Sequence, residues 1–487
     1  MRVLILTEGS SNIGFGHVTR CISLYQAFDE RKIVTGFIVN GDKAVCDLLK
    51  DINHNVFNWL KDLERLFDLL KETDIAIIDS YLADYDLCKR ISDLVKIAVY
   101  IDDNRRIDYP DGIVVNGTIY AEEIVYPHRP GITYLLGNIY TPIRRGFWDV
   151  SEKIIRRGVE TVLIAFGGDD SRNMTPKVLK LLVDNYPEFT KSVIIGKGFQ
   201  KINEIEKLKD NRTNLMYYPD AERVKNIMLE SDIAISAGGQ TLYELARIGV
   251  PTIAIAVADN QLNNVNGWQK AGFIEYAGWW EDENVLSNIA YKIELLKNPV
   301  LREGKAKIGS SMIDGQGAVR IIKYCIERYF SDGLILRKAE IKDMYNIYEL
   351  SNEPETRQNS FNQEQIELEK HKKWLFNKLN DKDCLFLVAE ADGKFLGQAR
   401  FDINGNEAQI SISVKKYRGL GIGKILIQRA VDFLRLKNPE VLYVKSYIKE
   451  GNISSVKLFN RANFQFVQSM ILKGQNALEY QYQIKEG

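Results

Sequence analysis

The chain has 487 residues, 45% of them apolar and 27% charged, and its 65 Lys and Arg balance 65 Asp and Glu to a formal net charge of zero. That length suits about three domains with ordinary apolar cores, and the balanced charge gives no reason to expect a nucleic-acid partner. Five scattered cysteines without a CxxC pair and four histidines without ligand spacing argue against a disulfide framework and against a metal centre.

No apolar run reaches the length of a membrane span, and the first residues enter a strand directly. The expectation is a cytoplasmic protein with neither a membrane nor a metal partner. Val3-Leu4-Ile5-Leu6 has the wholly apolar character of a buried parallel strand. Val18, Cys21, Ile22, Leu24, Tyr25 and Phe28 then recur at helical spacing. Between them, Gly14-Phe15-Gly16-His17-Val18-Thr19-Arg20 forms a strand-to-helix turn. Gly14 and Gly16 permit close approach of a ligand, and the helix start offers free N–H groups and partial positive charge. Arg20 shares a helical face with His17. The alternative is a histidine that only caps its helix.

Strands and helices continue to alternate. Ile75-Ala76-Ile77-Ile78 ends in Asp79-Ser80-Tyr81, Ile97 to Ile101 ends in Asp102-Asp103, and Ile113 to Val115 ends in Asn116. Polar groups at strand ends mark the functional edge of an open α/β sheet, although each alone can be turn chemistry. A second alternation begins at Thr161 to Phe166 and ends in Gly167-Gly168-Asp169-Asp170. Thr175-Pro176 after it reads as a helix N-cap with proline in the first turn. Further on, Ser236-Ala237-Gly238-Gly239-Gln240-Thr241-Leu242-Tyr243-Glu244 carries a strand into small residues and a helix, a site for a pyrophosphate. Here Thr241 suits a phosphate oxygen and Glu244 the ribose hydroxyls. Both also fit a capping box. Asn260-Gln261, after the next strand, can reach the same place. The architecture expected for residues 1–330 is two doubly wound halves, 1–150 and 151–330, with a cleft between them.

The second half resembles the nucleotide-binding half of GT-B enzymes. Residues 1–330 as a whole resemble the UDP-sugar hydrolases of pseudaminic acid biosynthesis, which release UDP from a 2,4-diacetamido-2,4,6-trideoxyhexose nucleotide. The resemblance is carried by the GFGHxxR turn, Asp79-x-Tyr81, Asp102-Asp103, Phe166-Gly167-Gly168 and Glu244. It implies His17 as the base that activates water. It also implies a substrate site built from Gly14, Gly16, Arg20, Asp79, Tyr81, Gly238, Gly239, Thr241, Glu244, Asn260 and Gln261, with UDP as product and no metal.

Residues from Gly315 to Phe330 form an amphipathic pattern, and Ser331-Asp332-Gly333 has the composition of a linker. Beyond it the pattern changes: a short strand at Leu334 to Arg337, a hairpin through Asp392-Gly393, and a strand from Gln409 to Val414. Tyr417-Arg418-Gly419-Leu420-Gly421-Ile422-Gly423-Lys424 and an amphipathic helix follow. Exposed amides at a helix start again suit a pyrophosphate, with arginine adding charge. Arg418-x-x-Gly421-x-Gly423 is similar to the acyl-CoA loop of the GNAT acetyltransferases. That resemblance implies an α+β domain over 334–487 that uses acetyl-CoA, bound by Val414, Arg418, Gly419, Gly421, Gly423, Lys424 and Asn452. Its extent and pattern, including Asn352-Glu353-Pro354 and His371, resemble the N-acetyltransferases that act on amino-sugar nucleotides, which implies acetylation of a UDP-amino-sugar. Phe459 stands where many relatives place a tyrosine acid, which leaves Tyr447 and Tyr443 as the groups to consider. The expectation is thus a GT-B pair of Rossmann-like domains followed by a GNAT domain. Two rivals are a glycosyltransferase, and a hydrolase whose C-terminal domain only senses coenzyme A.

Overall fold

Short apolar strands that alternate with helices can satisfy their backbone groups only by pairing in parallel across the helical crossovers. The computed structural model describes residues 1–10 and 14–484, and the chain divides into two compact units, Met1–Ile322 and Lys323–Gly487. The first unit contains two parallel sheets. One is built from β1 (Arg2–Gly9), β2 (Val34–Gly41), β3 (His54–Val56), β4 (Ile75–Asp79), β5 (Ile97–Ile101), β6 (Gly112–Asn116) and β7 (Ile132–Leu136), in the order β3-β2-β1-β4-β5-β6-β7. The other is built from β8 (Thr161–Ala165), β9 (Thr190–Ile195), β10 (Thr213–Tyr217), β11 (Ile233–Ala237), β12 (Thr252–Ala256) and β13 (Ile274–Trp279), in the order β10-β9-β8-β11-β12-β13.

Both orders reverse direction beside the first strand of their sheet, between β1 and β4 and between β8 and β11. Each sheet therefore opens a crevice at the carboxyl ends of those strands. Cores lie on both sheet faces, as the unbroken apolar runs require. Trp59, fully buried, donates from its indole nitrogen to the Thr7 carbonyl at 2.9 Å and so fixes the end of β1.

The second unit holds one seven-stranded sheet: β14 (Ile335–Lys338), β15 (Cys384–Ala391), β16 (Lys394–Asn404), β17 (Glu407–Val414), β18 (Tyr443–Lys449), β19 (Gln465–Leu472) and β20 (Gln475–Gln483), in the order β14-β15-β16-β17-β18-β20-β19. Asp392 and Gly393 turn the β15–β16 hairpin with φ of 52° and 68°, the left-handed pair that a two-residue hairpin demands. All pairings are antiparallel except β17 with β18. That parallel joint runs only from Glu407–Gln409 to Tyr443–Lys445, after which the two strands part.

Ser331-Asp332-Gly333 is not a loop but the last turn of the helix Gly317–Gly333. Arg429 explains why: its guanidinium donates to the carbonyls of Ser331 and Leu334, supplying donors at a helix end that lacks them. Phe330 packs 5.3 Å from the Tyr417 ring, and the Tyr329 hydroxyl donates to Asp392. A fragment 323–487 should therefore unfold with a higher denaturation midpoint than a fragment 334–487. The difference should be about 2–3 kcal/mol, from one aromatic side chain and two hydrogen bonds. Equal midpoints would show that these contacts contribute nothing.

Candidate functional site

Adjacent strand ends place the first cluster. Thr7 of β1 lies level with Asp79 of β4, so the turn after β1 and the end of β4 meet at the crevice. Gly14 takes φ of 81° and pairs with Ser10 across the turn. His17 is the second residue of the helix Gly16–Asp29, whose N-cap, Phe15, supplies no side-chain bond. The capping alternative for His17 is thereby set aside. Its Nδ1 lies 2.6 Å from Asp79 Oδ1.

Asp79 is fully buried. Arg20, one helical turn after His17, donates to it twice, from Nε to Oδ2 at 2.8 Å and from Nη2 to Oδ1 at 2.7 Å. Arg20 Nη1 reaches Asp103 Oδ1 at 2.6 Å, and the Tyr81 hydroxyl donates to Asp103 Oδ2 at 2.7 Å. The Tyr81 ring stands edge-on to the imidazole, 4.5 Å between centroids. Glu8, buried at the end of β1, accepts from the Tyr81 N–H at 2.7 Å and the Ser80 hydroxyl at 3.1 Å, and so holds the turn that carries Tyr81.

Burial would raise the Asp79 pKa, but the charges and hydrogen bonds of Arg20 and His17 hold it well below the usual carboxylate range. Burial would lower that of His17, and Arg20 opposes its protonation. The Asp79 charge and hydrogen bond outweigh both, and the imidazole titrates above 6.5. Tyr81 is pushed far up by burial and Asp103, so it stays a neutral donor. With Asp79 an anion, the geometry assigns the proton to Nδ1 and leaves the Nε2 lone pair free. Nε2 has no hydrogen-bond partner among the described residues.

The second crevice faces the first. Gly168 lies beside Phe15, and the Asp169 carboxylate lies beside Gly14. The helix after this loop is Met174–Asn185, not one capped by Thr175. The Asp170 carboxylate accepts from the N–H groups of Met174 and Thr175, both at 2.9 Å, while Asn173 takes a left-handed φ of 52°. Burial raises Asp170 to about 6 against those hydrogen bonds.

The capping box is also absent. The helix Thr241–Ile248 begins after Gln240 with no side-chain cap. Glu244, buried, instead receives both nitrogens of an Arg144 fork, Nε to Oε1 and Nη2 to Oε2, each at 2.7 Å. Gly238 is glycine for packing, since a Cβ there would sit 2.4 Å from Val265. Its N–H is committed to Ile255 and Gln261 Oε1, and its carbonyl accepts from Asn264 at 2.7 Å. The N–H groups of Gly239 and Gln240 have no partner among the described residues, which leaves them for an anion. Gln261 thus shapes this loop, and Asn260 precedes it in the same turn, Asp259–Gln261.

In the C-terminal unit, Val414 ends β17. Gly419 and Gly421 take φ of 78° and 85°, and Gly421 caps the helix Ile422–Lys437, with Lys424 in its first turn. Gly423 abuts Leu458 at 3.0 Å from its Cβ position. Arg418 is held by Val414, Glu353, Glu355 and Thr356. Asn452 caps the helix Ile453–Arg461 by accepting from Ser455 N–H at 3.1 Å. Phe459 is buried against Phe464. Tyr443 and Tyr447 share a face of β18, but Tyr443 lies in the stretch paired with β17, whereas Tyr447 lies beyond it, where the strands part. Burial and the neighbouring Glu479 raise Tyr447 above 10.

Glu8, Asp103, Arg144 and Asn264 complete these clusters without standing among the expected site residues. Glu8 and Asp103 had a signal, since acids end two central strands. Arg144 had none, because nothing local ties it to Glu244. Among the described residues, no group of three or more His, Cys, Asp or Glu is placed to hold a metal ion, and no helix is long and apolar enough to cross a membrane.

Comparison with known proteins agrees with this division. Residues 161–301 match the glycosyltransferase family 28 C-terminal domain, and residues 341–464 match the acetyltransferase (GNAT) family. An uncharacterized protein of Methanocaldococcus jannaschii is 26% identical over 96% of this chain and 97% of its own length. The spore coat polysaccharide biosynthesis protein SpsG of Bacillus subtilis is 24% identical over 66% of this chain and 96% of its own. The UDP-2,4-diacetamido-2,4,6-trideoxy-beta-L-altropyranose hydrolase of Campylobacter jejuni is 23% identical over 57% of this chain and 99% of its own.

The Arg144–Glu244 pair joins the segment after β7 to the helix Thr241–Ile248. Glu244→Gln should lower stability by about 1–3 kcal/mol by leaving a half-buried guanidinium without its anion, and Arg144→Met with Glu244→Leu should cost less than either single change. Thermal unfolding of the full chain measures this; a loss below about 0.5 kcal/mol would mean that the pair is solvated.

Proposed function

We propose that Met1–Ile322 hydrolyses a UDP-2,4-diacetamido-2,4,6-trideoxyhexose to UDP and the free sugar, and that the C-terminal unit acetylates the 4-amino group of the UDP-sugar precursor from acetyl-CoA. The observation that carries the first activity is His17 held at Nδ1 by Asp79, with Nε2 open to the crevice that faces the Gly239 and Gln240 amides. The Campylobacter relative's activity supports the choice of substrate.

The pyrophosphate rests on the free amides of Gly239 and Gln240 at the start of Thr241–Ile248, with Thr241 on an oxygen and Glu244, fixed by Arg144, at the ribose. His17 Nε2 takes a proton from water as the water oxygen attacks the anomeric carbon. The bond from that carbon to the β-phosphate oxygen breaks, and its electrons leave with UDP. Asp79 stabilises the imidazolium that forms, and Arg20 keeps Asp79 ionised. A single displacement inverts the anomeric centre. No acceptor sugar enters this scheme, which separates it from a glycosyltransferase.

For the second activity, acetyl-CoA rests on the amides of the Gly419–Gly423 turn beside Lys424. The substrate amine, neutral when it reacts, attacks the thioester carbonyl, and the carbon–sulfur bond breaks. Tyr447, beside the opening between β17 and β18, protonates the departing thiolate, and the proton that the nitrogen sheds on becoming an amide returns to Tyr447 through water. The GNAT match over 341–464 supports this reading.

His17→Asn should lower UDP release without acceptor by about 10²–10⁴-fold and leave UDP affinity nearly unchanged; near-normal turnover would remove His17 from the mechanism. A base must be neutral to act, and His17 titrates above 6.5. In the wild type kcat/KM should therefore fall as pH drops through a value above 6.5, and in Asp79→Asn that limb should move to lower pH. An acid limb that stays in place in Asp79→Asn would contradict the pairing. Tyr447→Phe should slow acetylation by about 10²-fold with coenzyme A affinity unchanged, and wild-type rates in that variant would exclude it as the acid.

A further inference from the structure

The permanent charge of the acyl-CoA loop does not point at a phosphate. Arg418 Nε donates to the Val414 carbonyl at 2.8 Å, and Nη2 donates to Glu353 Oε2 at 2.5 Å and Thr356 Oγ1 at 3.3 Å. Nη1 donates to Glu355. One N–H on Nε, one on Nη1 and two on Nη2 are engaged, four of the five that a guanidinium owns. Two carboxylates already neutralise it. The groups left for an anion are the N–H groups of Gly421, Ile422 and Gly423, which have no partner among the described residues, together with Lys424.

What Arg418 does hold is a strap. Residues 353–366 leave and rejoin the fold at one point, where Asn352 donates to the Ile366 carbonyl at 3.0 Å and accepts from its N–H at 2.8 Å. Arg357 braces the interior through the carbonyls of Asn362 and Glu364. Glu353 opens the short helix Pro354–Gln358 without capping it, so its carboxylate is free to meet Arg418. On the other side Lys449 donates to the carbonyls of Gln358 at 3.2 Å and Ser360 at 3.4 Å, and Gln475 donates to that of Phe361 at 2.6 Å. Lys449 is the last residue of β18, and Val414, four residues before Arg418, is the last of β17. These strands pair only near their starts. The strap is therefore gripped from both sides of the opening that separates them.

We propose that Arg418 is a latch: it fastens the strap 353–366 across the mouth of the β17–β18 opening and sets affinity for the amine acceptor, not for coenzyme A. The inference rests on the acetyltransferase reading of this unit. The donor is provided for by the loop amides, so the strap forms the wall that the second substrate meets. Its Glu364, which Arg418 does not engage, also suits an acceptor that arrives as an ammonium ion. Arg418 is a positioning residue in this account.

Two variants separate a latch from a phosphate ligand, because the two roles predict opposite effects. Arg418→Gln removes the cation, while Glu353→Gln with Glu355→Gln frees it. With acetyl-CoA and a UDP-2-acetamido-4-amino-2,4,6-trideoxyhexose as probes, both should raise acceptor KM by about tenfold. The triple variant should be no worse than either, as for residues acting through one contact. Coenzyme A Kd by calorimetry should stay within about twofold in all three, which also shows that they fold. Glu353→Arg should restore acceptor KM to an Arg418→Glu chain.

Arg418→Gln that weakens coenzyme A while the double Gln variant does not would overturn the latch and make Arg418 a phosphate ligand. An acceptor KM unchanged in both overturns it as well. A wild-type chain that releases UDP but neither binds coenzyme A nor acetylates the probe would overturn the acetyltransferase reading itself, and the latch with it.

Discussion

The buried carboxylate of Asp79 is the constraint around which the hydrolytic half is arranged. An ion removed from water is costly unless its lone pairs are answered, and here they are answered by Arg20 on both oxygens and by His17 on one. Those donors sit one turn apart on a single helix, which begins two residues after Gly14 with its left-handed φ of 81°. The same contacts that make the carboxylate tolerable fix the tautomer of the imidazole. They also set stability against catalysis. A histidine whose pKa is raised on folding stabilises the fold fully below its unfolded value, and that contribution disappears as pH rises through the folded value. The pair therefore stabilises the fold most where His17 is protonated and cannot act as a base.

The nucleotide half uses weaker and more distributed means. Gly239 and Gln240 present amides because Gln261 and Asn264 hold Gly238 on either side. Glu244 is aligned from outside its own sheet by Arg144. Loss of Arg144 thus frees the Glu244 carboxylate without touching the His17 cluster. In the acetyltransferase unit the analogous arrangement is the parting of β17 from β18, an opening made by ending a pairing.

Much of this was legible in the sequence because it depends on local signals. Apolar runs such as Val3–Leu6 and Ile233–Ile235 lie where the pattern put them, the two central crevices follow from strand ends, and Asp392-Gly393 turns its hairpin as its residues require. The expectations that failed rested on local residue pattern alone. Thr241 and Glu244 fit a capping box, yet Glu244 meets a guanidinium one hundred residues away. Thr175 looked like a cap, yet Asp170 caps that helix. Ser331-Asp332-Gly333 had linker composition, yet Arg429 completes a helix through it. At Glu244 and at residues 331–333 a long arginine side chain from elsewhere supplied what local propensity lacked, whereas Asp170 caps from only four and five residues upstream.

The central claim is that water attacks carbon, not phosphorus, in the cleft where His17 faces the nucleotide half. Hydrolysis in ¹⁸O-labelled water, with both products weighed by mass spectrometry and the first anomer read by NMR, tests it directly. The account predicts unlabelled UDP and label in the anomeric hydroxyl of a sugar released with inverted configuration. Label in the β-phosphate of UDP would contradict it.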